Sequence, residues 1–107
     1  MNKKLLELSD FSTGLQENSL VCPNCSSNYL HHGRIEIFNR GEDAEKGAHF
    51  NVNGSQVTLD DNLAGNPSGR RHGLKIHLDC EQCAAESALC ISQHKGCTFV
   101  WVEYSSK

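Results

Sequence analysis

The chain has 107 residues, 37% of them hydrophobic and 7% aromatic, and its formal net charge is −3 at pH 7. This length predicts one domain with a modest core, and the negative charge argues against a basic nucleic-acid-binding surface that covers the whole domain. No stretch approaches the roughly 20 apolar residues needed to span a bilayer, so the sequence does not support a membrane role.

The first 18 residues are polar with scattered leucines, and Gly14 interrupts any helical run. We expect a polar tail or a short helix over residues 1–18, followed by a single β domain over residues 19–107. A signal peptide is not expected, because Glu7 interrupts the short leucine run and leaves no continuous apolar segment. This favours a cytoplasmic protein whose cysteines stay reduced.

A strand is predicted from Tyr29 to Asn39, where polar and apolar side chains alternate. The polar set is His32, Arg34 and Glu36, and the opposite set is Gly33, Ile35 and Ile37. We expect the isoleucines to face the core, with Phe38 on the polar side of the strand. The acidic residues 40–47 are expected to form an exposed loop.

A β-hairpin is predicted over residues 48–59. Asn53-Gly54 suits a type I′ turn, which pairs Val52 with Ser55 and Phe50 with Val57. In that register the apolar residues Phe50, Val52, Val57 and Leu59 all fall on one face. We therefore expect this hairpin to cover a core.

Further strands are predicted beyond the loop at residues 60–73. They are Leu74–Leu78, the run from Ser87 to Gln93, and Cys97–Tyr104, with a turn near His94-Lys95-Gly96. The sequence thus predicts a mainly β fold: a small antiparallel domain with five or six short strands and almost no helix.

Two CxxC pairs carry the clearest chemistry in the sequence. They are Cys22-Pro23-Asn24-Cys25 and Cys80-Glu81-Gln82-Cys83. Two intervening residues let each pair form a tight turn, or knuckle, with both sulfurs facing one ion, and four thiolates complete the tetrahedral shell of a structural Zn²⁺. Two disulfides, a redox pair or unliganded core thiols are the alternatives, and a reducing compartment disfavours disulfides. Because the core is modest, metal binding and folding are expected to be coupled.

Two knuckles joined through β-hairpins resemble a zinc ribbon, a likeness carried by Cys22, Cys25, Cys80 and Cys83. The 54 residues between Cys25 and Cys80 exceed what a simple ribbon needs, and an inserted β-hairpin explains them. The segments 68–74 and 91–96, together with the second knuckle, also resemble small uncharacterised bacterial proteins that mobile elements often encode. That resemblance implies a cytoplasmic bacterial setting and no particular reaction.

The remaining cysteines, tryptophan and histidines are given structural interpretations. Cys90 lies in an apolar run and is predicted to pack in the core, as is Trp101, whereas Cys97 near the last turn is expected to be more exposed and easier to oxidise. His31 and His32 should point to opposite faces of their strand. His77 and His94 are interpreted as solvated side chains.

The sequence leaves several functions open. We expect a binding module rather than an enzyme, because four cysteines would leave no open position on the zinc and no catalytic triad or phosphate loop is present. The first hypothesis is a protein-interaction or adaptor role with an unidentified protein partner. The alternative is nucleic-acid binding by a small cationic rim, with an aromatic side chain stacking on single-stranded bases. The rim would comprise Arg70, Arg71, His72 and Lys75, and the aromatic candidates are Tyr29, Phe99 and Trp101.

Overall fold

The computed structural model of the protein describes residues 2–9 and 17–105. Within these ranges the chain forms nine β-strands and no helix, which confirms the mainly β fold but exceeds the five or six strands predicted. Accordingly, no helix in the described ranges has the length and apolar character needed to cross a membrane. The strands are β1 (Asn2–Lys4), β2 (Leu8–Ser9), β3 (Ser19–Leu20), β4 (Leu30–Asn39), β5 (Ala48–Asn53), β6 (Gln56–Asp60), β7 (Gly73–Cys80), β8 (Glu86–His94) and β9 (Cys97–Tyr104).

Seven of these strands form one antiparallel sheet in the spatial order β1-β9-β8-β7-β4-β5-β6. β2 and β3 pair with each other in a separate two-stranded sheet. In the large sheet, β7 returns beside β4 after the β5–β6 hairpin, and this pairing places Leu30 opposite Cys80. The segment that follows the first knuckle therefore lies beside the second knuckle.

The amino-terminal segment differs from the expected tail or short helix. Residues 2–4 form β1, which pairs with β9 at the edge of the large sheet, and Leu8–Ser9 pairs with Ser19–Leu20. Backbone pairing thus holds this segment against the domain, an interaction that its polar composition does not reveal. Residues 10–16, which include Gly14, lie outside the described residues, and the expected domain boundary at residue 19 stays a prediction.

The predicted β5–β6 hairpin forms, but its turn lies one residue further along the chain. Gly54 and Ser55 make the two-residue loop, and of these only Gly54 has a positive φ, 62°, as in a type II′ turn with glycine at its first central position. The observed pairs are Val52–Val57 and Phe50–Leu59, in place of the predicted Val52–Ser55 and Phe50–Val57, which are wrong. The observed register sets apolar side chains directly opposite each other and keeps all four on one face, as predicted.

The last hairpin agrees with the sequence prediction. Lys95 and Gly96 form its loop, and both have positive φ, 48° and 80°, as a type I′ turn requires. Cys97–Tyr104 forms β9 over the predicted range.

The two sides of the large sheet are packed very differently. One side carries Phe38, His49, Cys90 and Trp101, all of them buried, and we call it the covered face. The other carries aliphatic and aromatic residues that stay partly exposed in the part of the sheet away from the two cysteine knuckles, and we call that region the open face. Its residues are Ile35, Ile37, Phe50, Val52, Val57, Leu59, Leu74, Ile91 and Val100.

This arrangement corrects the expected orientation of β4. Phe38 is completely buried, whereas Ile37 was expected to face the core and is 40% exposed. The reason lies outside β4, because the loop at residues 61–72 approaches the covered face there: a Cβ atom added at Gly65 would lie 3.5 Å from the Phe38 ring. The loop is fixed to β8 by a hydrogen bond from Ser68 Oγ to the Gln93 carbonyl, 3.0 Å long.

Candidate metal centre

Four cysteine sulfurs converge where the two knuckles meet, and all of their Sγ atoms lie within 4.8 Å of one another. Cys22 Sγ lies 3.8 Å from Cys83 Sγ, and Cys25 Sγ lies 3.5 Å from Cys80 Sγ. Each of these close contacts joins one knuckle to the other. The structure therefore brings together the four residues that the sequence predicted as metal ligands.

The first knuckle is shaped by its own backbone. The Cys22 N–H donates to the Ser27 carbonyl at 2.8 Å, and the Ser26 N–H donates to the Cys22 carbonyl at 2.9 Å. Ser26 adopts a left-handed conformation with φ 66°, which lets the chain turn sharply after the second cysteine. Lys4 Nζ donates to the Pro23 carbonyl at 3.2 Å, so β1 supports this knuckle.

The second knuckle continues directly from a sheet strand. Cys80 ends β7 opposite Leu30 of β4, and the Glu81 N–H then donates to the Tyr29 carbonyl at 3.0 Å, which extends the pairing by one residue. The Gln82 N–H points at Cys80 Sγ from 3.3 Å. Such an N–H group stabilises a thiolate, the form of cysteine that binds metal.

The four thiols differ in how readily they ionise. A hydrogen bond from the Ala85 N–H and one from the Asn24 amide, 3.6 Å from the sulfur, lower the pKa of Cys83 to about 6. Burial raises the pKa of Cys22. A backbone hydrogen bond favours the Cys25 thiolate, but desolvation and the neighbouring sulfurs outweigh it and raise the pKa to about 12. Four thiolates this close repel one another, and a divalent cation between them removes that repulsion.

Two of the sulfur separations match those of a tetrahedral thiolate site. Four sulfurs about 2.3 Å from one Zn²⁺ stand about 3.8 Å apart along the tetrahedron edges, close to the 3.5 Å and 3.8 Å measured between the knuckles. A disulfide needs a sulfur separation of about 2.05 Å, and all six cysteines are free thiols in the structure. The cluster is therefore able to hold a metal ion.

The loop arginines of the predicted cationic rim are paired with carboxylates of the acidic loop. Arg70 Nη1 lies 3.6 Å from Asp43 Oδ1, and Arg71 Nη2 lies 2.6 Å from Glu42 Oε1. Both carboxylates belong to residues 40–47, the loop that the sequence predicted to be exposed. Within the described residues, the two arginines thus have local counter-charges.

The other two members of the predicted rim have contacts of their own. Lys75 is in β7 on the covered face, where its Nζ lies 3.5 Å from Glu103 Oε2. His72 Nδ1 accepts a hydrogen bond from the Arg40 N–H at 3.0 Å. The three cations of the predicted rim, Arg70, Arg71 and Lys75, are thus each paired with a carboxylate.

The predictions for Cys90 and Trp101 are confirmed. Both are buried on the covered face, and burial raises the pKa of the Cys90 thiol to about 12. Lys3 Nζ lies over the Trp101 ring at 4.1 Å from its centroid. Of the aromatic residues considered for base stacking, only Tyr29 and Phe99 are substantially exposed.

Cys97 is exposed, as expected. His31 and His32 are also exposed, and His31 Nε2 lies 2.9 Å from Glu81 Oε2. His94 is exposed in the described structure, in agreement with the sequence interpretation.

A hydrogen-bonded relay of four charged or titratable side chains crosses the covered face, and sequence reasoning missed it. The buried His49 places Nδ1 2.8 Å from Asp60 Oδ1 and Nε2 3.0 Å from Glu36 Oε1. Glu36 Oε2 in turn lies 2.7 Å from His77 Nε2. An ionised carboxylate accepts hydrogen bonds, and a histidine ring N–H donates them, so the two residue types suit each other as partners. The His49 ring also stacks on Phe38, with centroids 4.6 Å apart.

The relay overturns the interpretation of His77 as a simply solvated side chain. Its members come from β4, β5, β6 and β7, so their contacts depend on the register of three strand pairs. The contact between His49 and Asp60 could have been found from the hairpin, because the correct hairpin register places these two residues directly opposite each other. Nothing in the sequence places Glu36 beside them without the β4–β5 pairing.

Searches of family models, curated proteins and solved structures found no match to this chain. The resemblance to a zinc ribbon therefore stays a prediction. What the structure itself provides is a compact four-cysteine cluster on an antiparallel sheet.

Proposed function

We propose that this chain is a zinc-stabilised protein-interaction module that binds its partner through the open face of the large sheet. The observation that carries this proposal is the partial exposure of apolar side chains on that face, where Val57, Leu59 and Val100 are 66%, 64% and 42% exposed. Contiguous exposed apolar surface on a small domain is typical of interaction sites.

The shape of the open face supports a docking role. A groove of about 630 Å³ crosses it, lined chiefly by apolar side chains and bordered by polar ones. Its main lining residues are Ile37, Phe50, Leu74, Ile91, His72 and Gln93. An apolar centre with a polar rim is the usual composition of a protein-binding surface.

Zinc is the metal that we assign to the cysteine cluster. Four converging thiolates suit Zn²⁺, and a closed four-sulfur shell belongs to structural sites. In this role the ion joins the amino-terminal knuckle to the end of β7, while the open face lies farther along the same sheet. The metal therefore supports the binding surface without touching the partner.

Nucleic-acid binding remains the competing proposal, with the Arg70, Arg71 and Lys75 region as its contact. The ion pairs of these cations with Asp43, Glu42 and Glu103 disfavour it, since phosphate would have to displace a carboxylate each time. Protein docking requires no such exchange.

The proposal is tested with two neighbouring residues of β9. Val100 lies on the open face and Phe99 on the covered face, with similar exposures of 42% and 49%. We expect immobilised wild-type protein to retain a partner from nuclease-treated host lysate, Val100→Lys to lose it, and Phe99→Lys to keep it. Binding of the purified partner should fall at least tenfold for Val100→Lys, because a charge is introduced into an apolar contact.

Two results would reject the proposal. One is equal partner affinity for Val100→Lys and Phe99→Lys when both retain their metal and fold. The other is salt-dependent binding to single-stranded nucleic acid whose log–log slope drops by about 1.4 in the Arg70→Ala/Arg71→Ala variant, at about 0.7 for each lost phosphate contact. The second result would establish the nucleic-acid alternative.

A further inference from the structure

The two edges of the large sheet differ in how they are protected. β1 is three residues long and carries Lys3 and Lys4, and short, lysine-bearing edge strands discourage pairing with another chain. β6 forms the opposite edge, is five residues long and contains neither lysine nor proline. Its register with β5 runs without a bulge from the turn to Asp60. Apart from the charged Asp60 at its end, β6 therefore lacks the lysines, prolines and bulges that discourage an edge strand from pairing with another chain.

Two of the five residues of β6 direct their backbone polar groups away from the sheet. The residues that flank a two-residue hairpin loop form a hydrogen-bonded pair, here Asn53 and Gln56. Because the pattern alternates, Thr58 also bonds to β5, whereas the N–H and C=O groups of Val57 and Leu59 point outward. No strand among the described residues lies on that side.

We propose that β6 pairs with β6 of a second copy of this chain. The two strands run antiparallel and are related by a two-fold axis that passes between the two Thr58 residues. In this register Val57 of each copy lies opposite Leu59 of the other, on the same side of the joined sheet. Thr58 lies opposite itself, a pairing that sheets favour. Asp60 lies opposite the neutral Gln56, which avoids a carboxylate–carboxylate contact.

Neighbouring registers are less favourable. An axis through Val57 would set Leu59 opposite Ser55, and an axis through Leu59 would set Val57 opposite Asp61. Only the axis at Thr58 gives both Val57 and Leu59 an apolar partner. It also lets the outward N–H and C=O groups of both residues form hydrogen bonds between the copies. The strand is therefore self-complementary, as a two-fold interface requires.

This interface shares the side chains of Val57 and Leu59 with the docking surface proposed above, but its hydrogen bonds come from a different part of the sheet. It uses the backbone edge of β6 and needs nothing bound in the groove. Val100 takes no part in it, because four strands separate β9 from β6 in the sheet. A single pair of short strands buries little area, so we expect a concentration-dependent equilibrium between one and two chains. Joining the edges would also align the two open faces into one surface.

A cysteine at the axis tests the register directly. In a non-hydrogen-bonded antiparallel pair the Cα atoms are about 4.5 Å apart, within disulfide reach, whereas Gln56 and its copy would be offset by four residues, about 14 Å. In metal-loaded Cys97→Ser protein held in a glutathione redox buffer, we expect Thr58→Cys to form a covalent two-chain product at least tenfold faster than Gln56→Cys. Intact mass under non-reducing conditions reports the product.

Sedimentation velocity with Leu59→Pro tests the backbone pairing. Proline there removes an outward N–H and spares the bonds to β5, so association should weaken at least tenfold with metal content and strand signal unchanged. If Leu59→Pro fails to fold, Leu59→Lys, which copies the protection of β1, should weaken association instead. The proposal is overturned if the wild type stays a single chain up to about 1 mM, a limit that marks negligible affinity. Equal cross-linking of Thr58→Cys and Gln56→Cys would also overturn it.

Discussion

Ile37 and Phe38 are consecutive in β4 and have opposite environments: Phe38 is fully buried beside His49 on the covered face, while Ile37 is 40% exposed on the open face. Successive side chains of a strand point to opposite sides of the sheet, so the two residues report separately on the two faces. The stability of the domain and the binding proposed for it therefore depend on different sides of the same strand.

Truncating the two residues should separate these contributions. We expect Phe38→Ala to lower the free energy of unfolding by about 3–5 kcal/mol, because it opens a cavity between His49 and the loop at residues 61–72. Ile37→Ala should lower it by about 1 kcal/mol, since much of that side chain already meets water. Urea unfolding of the metal-loaded proteins measures both. Similar losses for the two variants would contradict the assignment of the faces.

Local patterns were sufficient to predict most strands and the cysteine cluster. The alternation in β7, the turn at Lys95-Gly96 and the spacing of the two CxxC pairs each encode their structure within a few residues. The sequence also predicted that Phe50 and Val57 lie on the same face of the sheet. The observed pairing is shifted by two residues from the predicted one, and a shift of two leaves every side chain on its original face.

Sequence could not show which side of the sheet is covered. Alternation shows that Ile37 and Phe38 lie on opposite faces, but it does not show which face is buried. That depends on contacts distant in sequence, namely the loop at residues 61–72 near Phe38 and Lys3 over the Trp101 ring. β1 was missed for a similar reason, because its pairing with β9 joins the two ends of the chain. The relay around His49 likewise requires three strand registers at once.

Metal analysis should find one zinc ion per chain. Acidification protonates thiolates, so lowering the pH should release the ion and unfold the domain in one transition. We expect the Cys80→Ser/Cys83→Ser variant to lose both metal and fold, as measured by elemental analysis and circular dichroism. A metal-free wild type with intact strand signal, or a double variant that keeps its fold, would show that the cluster does not stabilise the domain through zinc.

The remaining two cysteines should leave the metal in place. We expect Cys90→Ala and Cys97→Ala to retain one zinc ion each, because neither residue belongs to the cluster. Cys90→Ala should lower the free energy of unfolding by about 1 kcal/mol, since its sulfur is buried, and the exposed Cys97 should cost less. Metal loss in either variant would mean that the ligand set includes that residue.

The relay on the covered face should make stability depend on pH through Glu36. Burial by itself would raise the pKa of this carboxyl, but hydrogen bonds from His77 and His49 hold it below its ordinary value of 4.5. Because the folded-state pKa is the lower one, the resulting stability is fully present above about pH 4.5 and is lost as the pH falls through the folded value. At pH 7, Glu36→Gln should lower the free energy of unfolding by about 1–3 kcal/mol.

Chemical unfolding of wild type and Glu36→Gln at several pH values measures this effect. Acid also releases metal from the cysteine cluster, but it does so in both proteins, so the difference between them isolates Glu36. Glu42→Gln is the matched control, because Glu42 is an exposed carboxylate paired with Arg71 and its removal should cost at most about 1 kcal/mol. We expect the gap between wild type and Glu36→Gln to close as the pH falls below 4.5. A gap that stays constant down to the acid limit would show that the ionised carboxylate of Glu36 does not stabilise the relay.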